Sequence, residues 1–164
     1  MNNLYFIESD NHIILNSLLK DIASENKFDF SEIIRFDLSE RNISDVITEL
    51  DTYSLFSDRK IVFGYDCVFL TTDKTDINHD IDMLTKYINN PKEDSVLILS
   101  CKKLDGKKNI CKLIKEKFKV EYVSKEKLFR LLTEDHKESV NGVFFDEENR
   151  IILDNFLQNK NELT

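Results

Sequence analysis

The stretch Ser95-Val96-Leu97-Ile98-Leu99-Ser100 constrains the fold more than any other part of this chain. Its centre has no polar alternation, so it cannot be a strand with one face in water. A run this short, preceded by the breakers Asn89-Asn90-Pro91, reads as a strand covered on both faces. Such strands belong to parallel sheets, which need helical crossovers.

The rest of the chain supplies them. Leu4–Ile7 reads as a first strand, followed by the turn Glu8-Ser9-Asp10-Asn11. A helix follows with Ile14, Leu15, Leu18, Leu19 and Ile22 at a period near 3.6. Ile33–Phe36 is a second strand. Ser44–Tyr53 is a helix carrying Val46, Ile47, Leu50 and Tyr53, and Lys60–Tyr65 is a third strand. Asp76–Asn89 is expected to be helical, with Ile77, Ile81, Leu84 and Ile88 inward and Pro91 just past its end. Lys107–Phe118 is a further helix, and Val120–Val123 a short strand. The expected fold class is α/β, with βαβ units, a mostly parallel sheet and right-handed crossovers. From Lys125 the pattern is wholly helical: Leu128, Leu131 and Leu132 mark one segment, and Ile151, Ile152, Phe156 and Leu157 another after Gly142. Residues 1–124 are thus expected to form one domain and 125–164 the beginning of a small helical one.

Composition narrows the function classes. The chain has 164 residues and a net charge of −8, which disfavours a dedicated DNA-binding module. Lys102, Lys103, Lys107, Lys108, Lys112, Lys115, Lys117 and Lys119 do cluster, most simply as a solvated face. Cys67, Cys101 and Cys111 are odd in number and lack CxxC spacing, so they read as reduced thiols used as small apolar side chains. No apolar run approaches the roughly 20 residues of a membrane span. The expected location is the cytoplasm, with no membrane partner.

The search for chemistry returns mostly negatives. A phosphate cradle between first strand and first helix needs glycines, so that backbone N–H groups can wrap the phosphates, and a lysine to neutralise them. Here that stretch is Ile7-Glu8-Ser9-Asp10-Asn11-His12, with two acids, no glycine and no lysine. Asp66 follows the third strand where a metal-binding acidic pair would stand, but Cys67 comes next; a turn residue is the simpler reading. His12, His79 and His136 are far apart, lack ligand spacing and read as exposed helix residues. No catalytic residue, cofactor or metal is expected.

One segment remains, Tyr53-Ser54-Leu55-Phe56-Ser57-Asp58-Arg59-Lys60. Neighbours on a helix differ by about 100°, so Leu55 and Phe56 cannot both continue the face of Val46, Leu50 and Tyr53. They are either an exposed anchor for an apolar pocket on a partner or a staple tucked into the core.

In its setting this segment resembles the bacterial DNA polymerase III delta subunit family. There a helix ends in Leu/Phe-Phe, then Ser, an acidic or small residue, Arg or Lys, and a strand; Ser54–Phe63 has that arrangement. Leu4–Asp10 resembles the family's first strand and non-P-loop turn. Ser95–Ser100 with Lys103-Leu104-Asp105-Gly106-Lys107-Lys108 resembles its strand and lysine-containing turn. Gly142–Asp146 resembles the approach to its lid-like domain. The resemblance implies an AAA+-like core with a decayed nucleotide site and no ATPase activity of its own. It implies a clamp-loader component that binds and helps open the DNA sliding clamp during replication. Leu55 and Phe56 would be the clamp anchors, with Ser54, Ser57 and Asp58 as flanking contacts. The other partners implied are the remaining loader subunits, in the full-length protein, and DNA only within the assembled complex. Family members are about twice as long and end in a helical collar, so this chain is expected to be a fragment lacking it. Two rival readings are another degenerate loader module, delta-prime-like, and a small magnesium-dependent α/β enzyme using Asp66 and Asp73.

Overall fold

The computed structural model describes residues 3–52 and 59–139, with side chains described through Thr133. The chain divides into two compact units, Met1–Tyr122 and Val123–Thr164.

The first unit is a five-stranded sheet. Its strands are β1 (Leu4–Glu8), β2 (Ile34–Asp37), β3 (Ile61–Tyr65), β4 (Val96–Cys101) and β5 (Lys119–Glu121). Their order is β2-β3-β4-β1-β5, and every pairing is parallel. The connecting helices are α1 (His12–Glu25), α2 (Ile43–Asp51), α3 (Ile81–Asn89) and α4 (Asn109–Lys117). All six residues of β4 are buried, as its unbroken apolar sequence requires.

Side chains alternate across a strand, so each strand feeds two cores. Leu4, Phe6, Val62, Leu97 and Leu99 join Ile43, Val46, Ile47 and Leu50 of α2, Leu84 and Ile88 of α3 and Ile114 of α4 in one cluster. The intervening residues Tyr5, Ile7, Phe63 and Ile98 are buried too. On their side the Tyr5 hydroxyl accepts a hydrogen bond from Asn26 Nδ2 at the end of α1, at 3.0 Å. Gly64 marks a close approach within the sheet. A Cβ there would lie 2.7 Å from Leu38 Cδ1 and 3.0 Å from Leu99 Cδ2, so any side chain at this position would force Leu38 to shift from its place over β3.

Most element ends shift by one or two residues from those expected, and the start of the third helix shifts by a full turn or more. The third helix starts at Ile81, not Asp76, because the Asp80 carboxylate accepts from Met83 N at 3.0 Å and caps it there. Ile77 therefore lies in the preceding loop, half-buried. The last strand is Lys119–Glu121 rather than Val120–Val123.

In the second unit, α5 (Lys125–Ser139) begins after Ser124, whose Oγ accepts from Lys127 N at 3.1 Å. Leu128 and Leu132, one turn apart, are buried. Among the described residues no helix is long and apolar enough to cross a membrane.

Candidate functional site

Parallel strands gather their carboxyl ends on one edge, where ligands of open α/β sheets usually bind. The turn from β1 to α1 stands on this edge. The Asn11 carboxamide oxygen accepts from Ile13 N and Ile14 N at 3.0 and 3.2 Å, consuming first-turn donors of α1 that a phosphate would use. Ser9 Oγ accepts from Asn11 N, and Glu8 Oε2 accepts from Leu104 N, at 3.1 Å each. Glu8 and Asp10 are exposed, so the turn offers negative charge where phosphate needs positive.

Asp66 adopts φ 53°, the left-handed conformation of a strand-end turn. Asp73 faces Lys102 across 3.4 Å, both groups more than half exposed. Among the described residues no three His, Cys, Asp or Glu side chains are grouped to hold a metal ion. The three cysteines are free and buried. Burial pushes the Cys67 thiol well above its ordinary range and that of Cys101 up to about 12, so they behave as apolar side chains.

His79 departs from its expected place. It lies before α3 rather than in a helix, and it is 7% exposed. Its Nδ1 accepts the Ile43 N–H at 3.0 Å, and its ring lies 4.2 Å from that of Phe69. Asn42 completes the joint: its Oδ1 accepts from Ser44 N and Asp80 N, and its Nδ2 donates to Asn78 O. This pair fastens the start of α2 to the loop before α3. His79 and the Ile43 N–H it accepts are 36 residues apart, so spacing in the sequence gives no sign of this joint. His12 is exposed in the first turn of α1 as expected. The His136 side chain lies outside those described.

Burial holds the His79 imidazole below its ordinary value of 6.5. Its contribution to stability is therefore present above about pH 6.5 and is lost as pH falls through the lowered folded value. Protonation turns Nδ1 from acceptor to donor against the Ile43 N–H. The unfolding midpoint in urea is expected to fall between pH 7.5 and 5, and His79→Gln, which keeps an acceptor without a titrating group, should flatten that fall.

Leu55, Phe56, Ser54, Ser57 and Asp58 lie outside the described residues. Their flanks are described. Thr52 ends α2, its Oγ1 donating to Thr48 O at 2.6 Å. On the other side Arg59 Nη2 donates to Asn26 O at 2.8 Å and Nε to Asp94 O at 3.2 Å, with the guanidinium 4.5 Å from the Phe28 ring centre. Lys60 Nζ donates to Glu49 O at 2.8 Å and approaches Glu49 Oε1 at 3.4 Å. Its backbone N–H donates to Ser95 Oγ at 3.2 Å. The lysine-rich stretch is mostly exposed, but Lys108 donates to Phe69 O at 2.8 Å and Lys119 pairs with Glu121 at 3.1 Å.

Comparison with known proteins bears on these observations. The family model described as "DNA polymerase III, delta subunit" matches residues 5–124. The DNA polymerase III subunit delta of Bacillus subtilis is 26% identical over 106 residues, covering 62% of this chain and 30% of the relative. The solved structure of the Bacillus subtilis DNA clamp loader delta protein superposes with a TM-score of 0.64 at 21% identity. That match covers 85% of this chain and 44% of the other. The chain thus spans less than half the length of the relatives it matches. The fold class is α/β and AAA+-like, a five-stranded parallel sheet flanked by helices.

Proposed function

The chain belongs to the DNA polymerase III delta subunit family, and on that premise we propose that it binds the DNA sliding clamp and helps open it, without hydrolysing ATP itself. The observation that carries this reading is the family match across residues 5–124, which contains the Ser54–Lys60 string. Leu55 and Phe56 enter an apolar pocket on the clamp, and Ser54, Ser57 and Asp58 flank them. The face of α2 that leads to this segment is filled by Ile43, Val46, Ile47 and Leu50, all at most 2% exposed, which supports an outward role for Leu55 and Phe56. Anchors of this kind open a ring only by fitting the open clamp better than the closed one.

The capped first turn of α1 and the acids beside it support the non-hydrolysing role. Residues 125–164 begin the lid. The other loader subunits are partners of the full-length protein in the cytoplasm, and DNA is met only in the assembled complex.

Surface plasmon resonance of this chain over the immobilised clamp of the same organism tests the reading. Saturable binding supports it, and its absence ends it. In parallel, millimolar Mg-ATP is expected to leave the melting temperature unchanged, since only a ligand of the native state raises it. An upward shift would overturn the non-nucleotide assignment.

A further inference from the structure

Arg59 and Lys60 follow the clamp-binding segment directly, yet both carry their charge back into the scaffold. Among their acceptors are main-chain carbonyls from three places, Asn26 at the end of α1, Asp94 before β4 and Glu49 in the last turn of α2, and the Glu49 carboxylate lies 3.4 Å from Lys60 Nζ as well. Helix carboxyl ends leave carbonyls without internal partners and carry partial negative charge, so a cation there satisfies both. The ends of α1 and α2 thus converge on two consecutive residues. The Lys60 contact also joins the two sides of the segment, since Glu49 precedes it and Lys60 follows it.

We propose that Arg59 and Lys60 form a clasp that fixes the chain on the carboxyl side of residues 53–58, acting as positioning residues for clamp docking rather than as contacts to the clamp. This inference rests on the proposed role of Leu55 and Phe56. A segment whose ends are held has less freedom to lose on docking than one on a loose tether. Arginine suits the first position because its planar fork reaches two carbonyls while lying on the Phe28 ring; a lysine, as a point charge, cannot do both.

The test compares clamp affinity of the wild-type chain, Arg59→Ala and Arg59→Lys, each first checked for folding by circular dichroism. A synthetic peptide of residues 50–60, with and without Arg59→Ala, is measured as a competitor. Peptides lack Asn26, Phe28 and Asp94, so a positioning role predicts no effect of the substitution there. In the chain, Arg59→Ala is expected to weaken binding about tenfold, with Arg59→Lys recovering only part. A wild-type peptide that fails to compete is the extreme form of the expected result, because presentation then depends wholly on the scaffold. Equal weakening in chain and peptide would make Arg59 a direct contact and overturn the clasp. So would full affinity of the Arg59→Ala chain. Should Arg59→Ala not fold, Arg59→Lys carries the test, and wild-type affinity in it counts against the clasp. If the wild-type chain does not bind the clamp, the reading beneath the proposal falls and the clasp with it; if it binds through Leu55 and Phe56 but ignores Arg59, only the clasp falls.

Discussion

Leu55→Ala combined with Phe56→Ala is expected to lower clamp affinity by at least about 100-fold while leaving the melting temperature unchanged. Burying a leucine and a phenylalanine in a partner supplies about 3–6 kcal/mol before association costs, and about 1.4 kcal/mol is a factor of ten. Truncating both therefore removes most of the energy a small apolar anchor can contribute. Stability should hold because α2 already closes the core on its side. Its last buried residue is Leu50, and Asp51 and Thr52 are exposed. The competing account, a staple folded into the core, makes the opposite prediction. Removing two packed apolar side chains would then lower the melting temperature by several degrees and expose the change to circular dichroism. Affinity measured by surface plasmon resonance beside a thermal melt decides between them.

The sheet was legible because burial on both faces leaves a mark in sequence. Val96–Leu99 and Ile61–Phe63 carry no polar alternation, and the structure buries every one of them. Helix faces were legible for the same reason of period: Leu18, Leu19 and Ile22 of α1 are all buried. The start of α3 was not, since Ile77 continues the apolar period by chance while the cap at Asp80 sets the boundary. His79 was misplaced because its partner is a backbone N–H brought to it by tertiary structure. Arg59 and Lys60 were visible only as the tail of a motif. Apart from the Glu49 carboxylate beside Lys60, what they are shown to grip are carbonyl oxygens, which every residue has and which therefore leave no signature in sequence. The candidate anchors Leu55 and Phe56 stand out in sequence through a conflict with the helical period. Physics alone leaves that conflict open between staple and anchor, and the family match is the reason to read it as an anchor.

Phe6→Ala is expected to cost about 3–5 kcal/mol of folding stability, a large part of the roughly 5–15 kcal/mol a domain has. Phe6 is 0% exposed on a strand with a neighbour on either side, paired with Leu99 of β4 and Val120 of β5. Its ring belongs to the cluster that seats α2, α3 and α4, so the void has walls on several elements and cannot simply collapse. Urea unfolding should show a lower midpoint with an unchanged slope, because the surface exposed on unfolding is nearly the same. Clamp affinity per folded molecule should not change. The same removal of a phenylalanine ring would thus act on stability alone at Phe6 and on affinity alone at Phe56. A Phe6→Ala chain that keeps its midpoint would contradict the packing of the sheet. One that keeps its fold but loses the clamp would mean that the binding segment is coupled to the core through α2.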